Sequence, residues 1–176
     1  METLHELLVD ELKDLYSAEN QLLKALPRMA KKASNEALQE AFTAHLEETK
    51  GQVNRLNQIA ELLEIKLSGK KCKAMEGLLE EGKDILEEKG TSPVIDAALI
   101  GAAQRVEHYE IAAYGTAKAF AEHLGLTEVA ELLAETLDEE SAADEKLTAI
   151  SIDEILPATD AEEEEEAPAA KATARK

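Results

Sequence analysis

The chain has 176 residues, 38 of them acidic and 19 basic, for a formal charge of −19, with one cysteine, no tryptophan and 3% aromatic residues. A lone Cys72 excludes an intramolecular disulfide, a cysteine zinc site and an iron–sulfur cluster, and so negative a field repels phosphate backbones and anionic lipid. Eight glycines and four prolines are too few for the turns of an all-β protein, so the 44% of hydrophobic residues point to an all-α domain.

In chain order, Leu4, Leu8, Leu12, Leu15, Leu22, Leu26 and Met29 recur at helical spacing and predict a helix from about Thr3 to about Lys32. Pro27 inside it predicts a kink near Lys24 or two helices in sequence. Ser34 or Asn35 caps a second helix that runs along Leu38, Phe42, Leu56 and Ile59 to about Lys66, before Ser68-Gly69. Apolar positions thin out from Lys70 to Gly90, which reads as a crossover holding a short helix. Ser92 as cap and Pro93 as first residue open a third long helix through Leu99, Val106, Ala113 and Phe120 to Gly125. A fourth spans about Thr127 to Ser151, and a segment to Leu156 is expected to pack back on it. Residues 1–156 thus form the folded domain. Residues 157–176, an acidic run followed by Ala, Lys and Arg, have no apolar periodicity and are expected to be a disordered tail.

The N-terminus lacks the basic and apolar regions of a secretory signal, and the longest mainly apolar uncharged stretch, Ala97 to Gln104, is far too short for a membrane span. A cytoplasmic protein with neither nucleic acid nor membrane as partner is expected. Two antiparallel hairpins joined by a long crossover that carries a short fifth helix is the topology of a ferritin-like four-helix bundle. A shift of 91 residues supports it, superposing Leu8 on Leu99, Leu15 on Val106, Glu19 on Glu110, Leu38 on Val129, Phe42 on Leu133 and Ile59 on Ile150. The halves read as diverged copies of one hairpin. Leu7, Leu23, Leu46 and Leu62 form a second apolar strip on the first hairpin, suited to a homodimer.

Acids that interrupt apolar stripes carry the functional signal. Glu19 falls between Leu15 and Leu22, and Glu110 between Val106 and Ala113, with Glu107 on the flank one turn earlier. The second helix offers His45, Glu48 and Gln52 on one face, and the fourth offers Glu140 and Asp144 beside Leu137 and Leu147. Carboxylates clustered in a core need cations or shared protons, and two divalent metal ions, iron or manganese, supply four positive charges. In this arrangement Glu19 and Glu110 are single ligands and Glu48 and Glu140 bridge. The usual Glu-x-x-His is replaced by His45-x-x-Glu48 in one helix and by Glu140 with Asp144 in the other. Tyr16 and Tyr114, each one turn from a stripe acid, are candidates to bond a ligand carboxylate. His5, His108 and His123 carry no such signal, and Cys72 is read as inert and remote from the site.

The segments DELKDLYSAENQLLKALPRMA (10–30), HLEETKGQVNRL (45–56), KCKAMEGLLEEG (71–82), DAALIGAAQRVEHYEIAAYGTA (96–117) and LDEESAADEKLT (137–148) resemble the YciE/YciF family of bacterial stress-associated proteins. The resemblance covers residues 1 to about 152. It implies a rubrerythrin-related helical bundle, often dimeric, with a dinuclear metal site, and through the pattern Glu107-x-x-Glu110 it adds Glu107 to the ligands. The expected function is a metal protein of stress defence that oxidises Fe(II) or reduces peroxide. The alternative is a non-catalytic dimeric bundle with a vestigial site.

Overall fold

The Thr3 hydroxyl accepts the N–H of Glu6 and caps α1 (Leu4–Lys32) in the computed structural model, which describes residues 1–90 and 92–160. This helix runs unbroken through Pro27, so the alternative of two helices in sequence does not hold. Pro27 lies on the exposed face, where water can serve the carbonyl that its missing N–H leaves free. The Asn35 side chain accepts the N–H of Leu38 to start α2 (Glu36–Leu62).

The second helix stops short of the expected Lys66. Ile65 donates to the Ala60 carbonyl at 3.0 Å and Glu64 to the Glu61 carbonyl at 3.2 Å, with Glu64 at φ 54°. That is a Schellman closure, which normally places glycine where Glu64 stands. The crossover carries α3 (Lys73–Glu87), which begins where the Cys72 sulfur accepts the N–H of Met75. Ser92 is the first residue of α4 (Ser92–His123) rather than its cap. This helix ends in the same closure as α2, with Leu126 donating to Ala121 and Gly125 to Glu122, and here the left-handed position is Gly125 at φ 72°.

After α5 (Thr127–Ile150) comes a π-helical turn, Ser151–Ile155, whose Ile155 is buried as the expected packing back requires. The backbone remains helical over residues 156–160, past the expected start of the tail at 157. The rest of that expected tail, 161–176, lies outside the described residues. Among the described residues there are five α-helices and no strand, and no helix is long and apolar enough to cross a membrane.

Contacts join α1 to α2, α2 to α5, α5 to α4 and α4 to α1, while α3 lies against α1 and α4. Buried Asp96, near the start of α4, accepts the N–H groups of Ser34 and Asn35 in the turn after α1, so α4 begins where α1 ends and runs back along it. Asn35 at the start of α2 likewise reaches Glu154 beyond the end of α5. The core falls into two parts. One gathers Leu22, Leu26, Phe42, Leu99 and Leu147, and the other Leu8, Leu12, Leu56, Tyr114 and Leu133. Between them each long helix contributes a polar residue.

Candidate metal centre

That polar layer is built by the spacing of the stripes. In α1, Leu15, Glu19, Leu22 and Leu26 all face inward, so the carboxylate shares the burial of its neighbours and is fully enclosed. By the same logic α4 buries Glu107 and Glu110 beside Val106, α2 buries His45, Thr49 and Gln52 between Phe42 and Leu56, and α5 buries Thr136 and Glu140 between Leu133 and Leu147.

Donor atoms of His45, Glu107, Glu110 and Glu140 all lie within 4.8 Å of one another. His45 Nε2 is 3.6 Å from Glu107 Oε2 and 3.6 Å from Glu140 Oε2. Its Nδ1 is 3.2 Å from Glu48 Oε2, at the protein surface. Glu19 stands beside the group, with one oxygen accepting the Tyr114 hydroxyl. Eight buried side-chain atoms have no hydrogen-bond partner among the described residues: Glu19 Oε2, His45 Nε2, Gln52 Oε1, Glu107 Oε2 and both oxygens of Glu110 and of Glu140.

Such burial moves every titration in the group. Loss of water, reinforced by the charge of Glu140, raises Glu19 to about 8, and loss of water raises Glu107 to about 7. Burial and then mutual repulsion hold Glu110 well above the usual carboxylate range, and burial does the same for Glu140. For His45 burial opposes charge, but the Glu48 hydrogen bond and the surrounding carboxylates outweigh it and the imidazole pKa rises. The converse holds at Glu48, which His45 lowers.

The centre therefore needs positive charge: either protons or metal ions. Carboxylates with one imidazole form a hard, oxygen-rich donor set that suits iron, manganese or zinc, and His45, Glu107, Glu110 and Glu140, each with an unpartnered buried atom, bring donor atoms as close together as an ion requires. The residues fit a metal.

A family model described as a domain of unknown function, DUF892, matches residues 3–159. The chain belongs to that family. It is 50% identical to Protein YciF of Escherichia coli (strain K12) over 156 residues, which are 88% of this chain and 94% of YciF. It is similar to the crystal structure of the E. coli stress protein YciF with a TM-score of 0.84 and 51% identity, covering 86% of this chain and 96% of that one. It is also similar to the structure of YcfI from Rhodopseudomonas palustris, with a TM-score of 0.82 and 44% identity over 84% of this chain and 94% of that one. The resemblance to the YciE/YciF family thus holds.

For this DUF892 member, the fold brings Glu19, His45, Glu107, Glu110 and Glu140 together and keeps two further candidates outside the group. Glu48 is half exposed and touches it only through the far nitrogen of His45. Asp144 accepts Gln104 Nε2 at 3.1 Å and lies 3.3 Å from the exposed His108, on the outer seam of α4 and α5. Of the tyrosines, Tyr114 bonds Glu19, whereas Tyr16 packs among apolar side chains away from it.

Sequence reasoning passed over Thr49 and Thr136, whose helical spacing alone gave the signal, and the network in which Arg55 grips Glu139 at 2.9 and 2.6 Å and Thr136 at 2.7 Å. Gln52 joins it through Glu139. Cys72 is nearer the site than expected: its sulfur is 3.0 Å from the hydroxyl of Tyr109, the residue before Glu110, and that hydroxyl donates to Asp14. Burial raises the thiol pKa, so its neighbouring lysines do not make it reactive.

Proposed function

We propose that the chain is a ferritin-like four-helix bundle, two antiparallel hairpins joined by a crossover carrying α3, that holds two divalent ions, iron or manganese, and acts in stress defence in the cytoplasm. The reading rests on one observation above the others: buried His45, Glu107, Glu110 and Glu140 bring donor atoms within 4.8 Å of one another, and each of the four has a buried atom without a hydrogen-bond partner. Glu107, Glu110, Glu140 and His45 would bind one ion, and Glu19 with the free oxygens of Glu110 and Glu140 the second. Bound iron or manganese would supply electron exchange with peroxide or dioxygen, and where Fe(II) is the substrate the same oxidant would take the electron it loses.

The protein's own groups have distinct tasks in this reading. Glu48 accepts the Nδ1 proton of His45, which leaves Nε2 free to ligate and fixes the ring. The Tyr114 hydroxyl holds one oxygen of Glu19 and presents the other. Two apolar cores flank the layer on either side along the helices. A homodimer through the strip containing Leu7, Leu23, Leu46 and Leu62 is part of the proposal; the first three are half-buried and Leu62 is 45% exposed.

A second reading, a non-catalytic dimeric bundle whose acids share protons, draws on the raised carboxyl pKa values, which would let the acids stand neutral. Anaerobic Fe(II) and Mn(II) titration of the purified protein, with elemental analysis, separates the two. About two ions per chain support the metal centre, and no stoichiometric uptake of either metal overturns it.

A further inference from the structure

Between α2 and α5 a cleft of about 350 Å³ leads from the surface down to the metal centre. Its walls are Ala41, Ala44, Ala142 and Ala143 with Phe42 and Leu147, and its floor is His45 and Glu107. The floor residues are 6% and 3% exposed, and His45 Nε2 and Glu107 Oε2 there have no hydrogen-bond partner. Small side chains on two facing helices thus open a passage onto unpartnered polar atoms.

Size, lining and charge restrict what fits. A water molecule occupies about 30 Å³ of liquid, so the cleft has room for on the order of ten such volumes, far more than peroxide or dioxygen needs. Apolar walls hold water poorly and gain from covering by hydrocarbon. At the mouth stand Glu48, Asp138 and Lys146, a net negative rim on a chain of charge −19, which disfavours anions. We propose that the cleft binds a neutral, mainly apolar organic molecule whose single oxygen-bearing end, an alcohol or hydroperoxide, points at His45 and Glu107. Only the identity of what that end meets, a metal ion, rests on the reading given above.

The test is calorimetric titration of the full chain, metal-loaded and metal-free, with 1-butanol, 1-hexanol and 1-octanol. Affinity should rise about fourfold for each added CH₂ as the chain fills the cleft. Ala44→Leu and Ala142→Leu, at exposed wall positions, should each weaken 1-hexanol binding at least tenfold and leave metal uptake unchanged. Affinity that is independent of chain length, or untouched by both substitutions, would overturn the proposal. So would a change of oligomeric mass on either substitution with no alkanol binding, because a second copy would then cover this face. Length-dependent binding to a chain that takes up no metal would sustain the cleft and refute the metal reading; metal uptake without alkanol binding would do the reverse.

Discussion

The two halves of the chain share a frame and differ in what they put into it. Helices α1 and α4 end at Lys32 and His123, and α2 and α5 begin at Glu36 and Thr127, both pairs 91 residues apart like the buried pair Glu19 and Glu110. Around that matched pair the donors diverge. Buried His45 has Thr136 as its counterpart, buried Thr49 has Glu140, and half-buried Tyr16 has Glu107. Helix ends and core stripes obey the repeat because both halves need the same packing, whereas the donors need only converge on one place, so each is supplied once.

The matched acids provide the largest expected effect. If both ligate, a divalent ion at a hundredfold excess over its Kd stabilises the wild type by about 2.7 kcal/mol. Glu110→Gln, which alters a carboxylate whose two oxygens are both unpartnered, should abolish most of that gain. Glu19→Gln should remove less, because Tyr114 already holds one of its oxygens. Thermal melts with Mn(II) and with a chelator measure both, and an equal, undiminished metal response in the two variants would break the assignment.

Protons provide the next effect. In the metal-free chain Glu19 titrates at about 8 and Glu107 at about 7, both raised by burial above an ordinary value of 4.5. The folded state therefore favours their protonated forms: this stabilisation is full below pH 4.5 and is lost as pH rises through 7 to 8. His45, raised from 6.5, is lost in the same direction. Metal binding releases those protons, so its stabilisation should grow across the same window. The melting temperature of chelated protein should fall from pH 5 to pH 8.5, and Glu19→Gln should flatten the fall. A chelated wild type more stable at pH 8.5 than at pH 5 would contradict the burial argument.

A third difference between the halves lies just outside the centre. Arg55 on α2 is largely buried and holds Glu139 with two hydrogen bonds, while its counterpart Lys146 on α5 is exposed at the rim of the cleft. Arg55→Met should cost about 1–3 kcal/mol, because it removes charge-assisted bonds, takes the donor from buried Thr136 and leaves the Glu139 carboxylate only its bond from Gln52. Lys146→Met should stay within about 0.5 kcal/mol of wild type. Denaturant melts compare the two directly.

These contrasts show where sequence carries the information. Periodicity located the long helices and the stripe acids Glu19, Glu110 and Glu140, because each keeps step with a buried side chain of its own helix, Leu15, Val106 or Leu133, and shares its face. It could not separate Glu48 from the buried group. His45 and Glu48 share a face, but that face spans the boundary between core and surface, and a three-residue step moves the second side chain outward. Asp144, four residues beyond Glu140, is drawn to Gln104 and His108 on the outer seam, a pairing between helices that spacing within one helix does not reveal. Cys72 looked remote because it lies in a crossover, and only the packing of α3 on α1 and α4 brings it to Tyr109.

The smallest predicted effect concerns another feature that the sequence did not mark. The ends of α2 and α4 close with the same pair of hydrogen bonds, yet one has Glu64 at φ 54° and the other Gly125 at φ 72°. A side chain in the left-handed region costs about 1–2 kcal/mol, which glycine escapes. Without glycine at 64 the stop signal appeared to lie at Gly69, and α2 was expected to run on to Lys66. Glycine at 64 would remove that strain but also loosen the unfolded chain, so Glu64→Gly should stabilise by about 0.5–1 kcal/mol. At Gly125 nothing lies within 4 Å of an added Cβ, so Gly125→Ala tests the backbone alone and should cost about 1 kcal/mol. Denaturant midpoints that move in the same direction for both substitutions would mean that the two helix ends are not equivalent, whatever their hydrogen bonds.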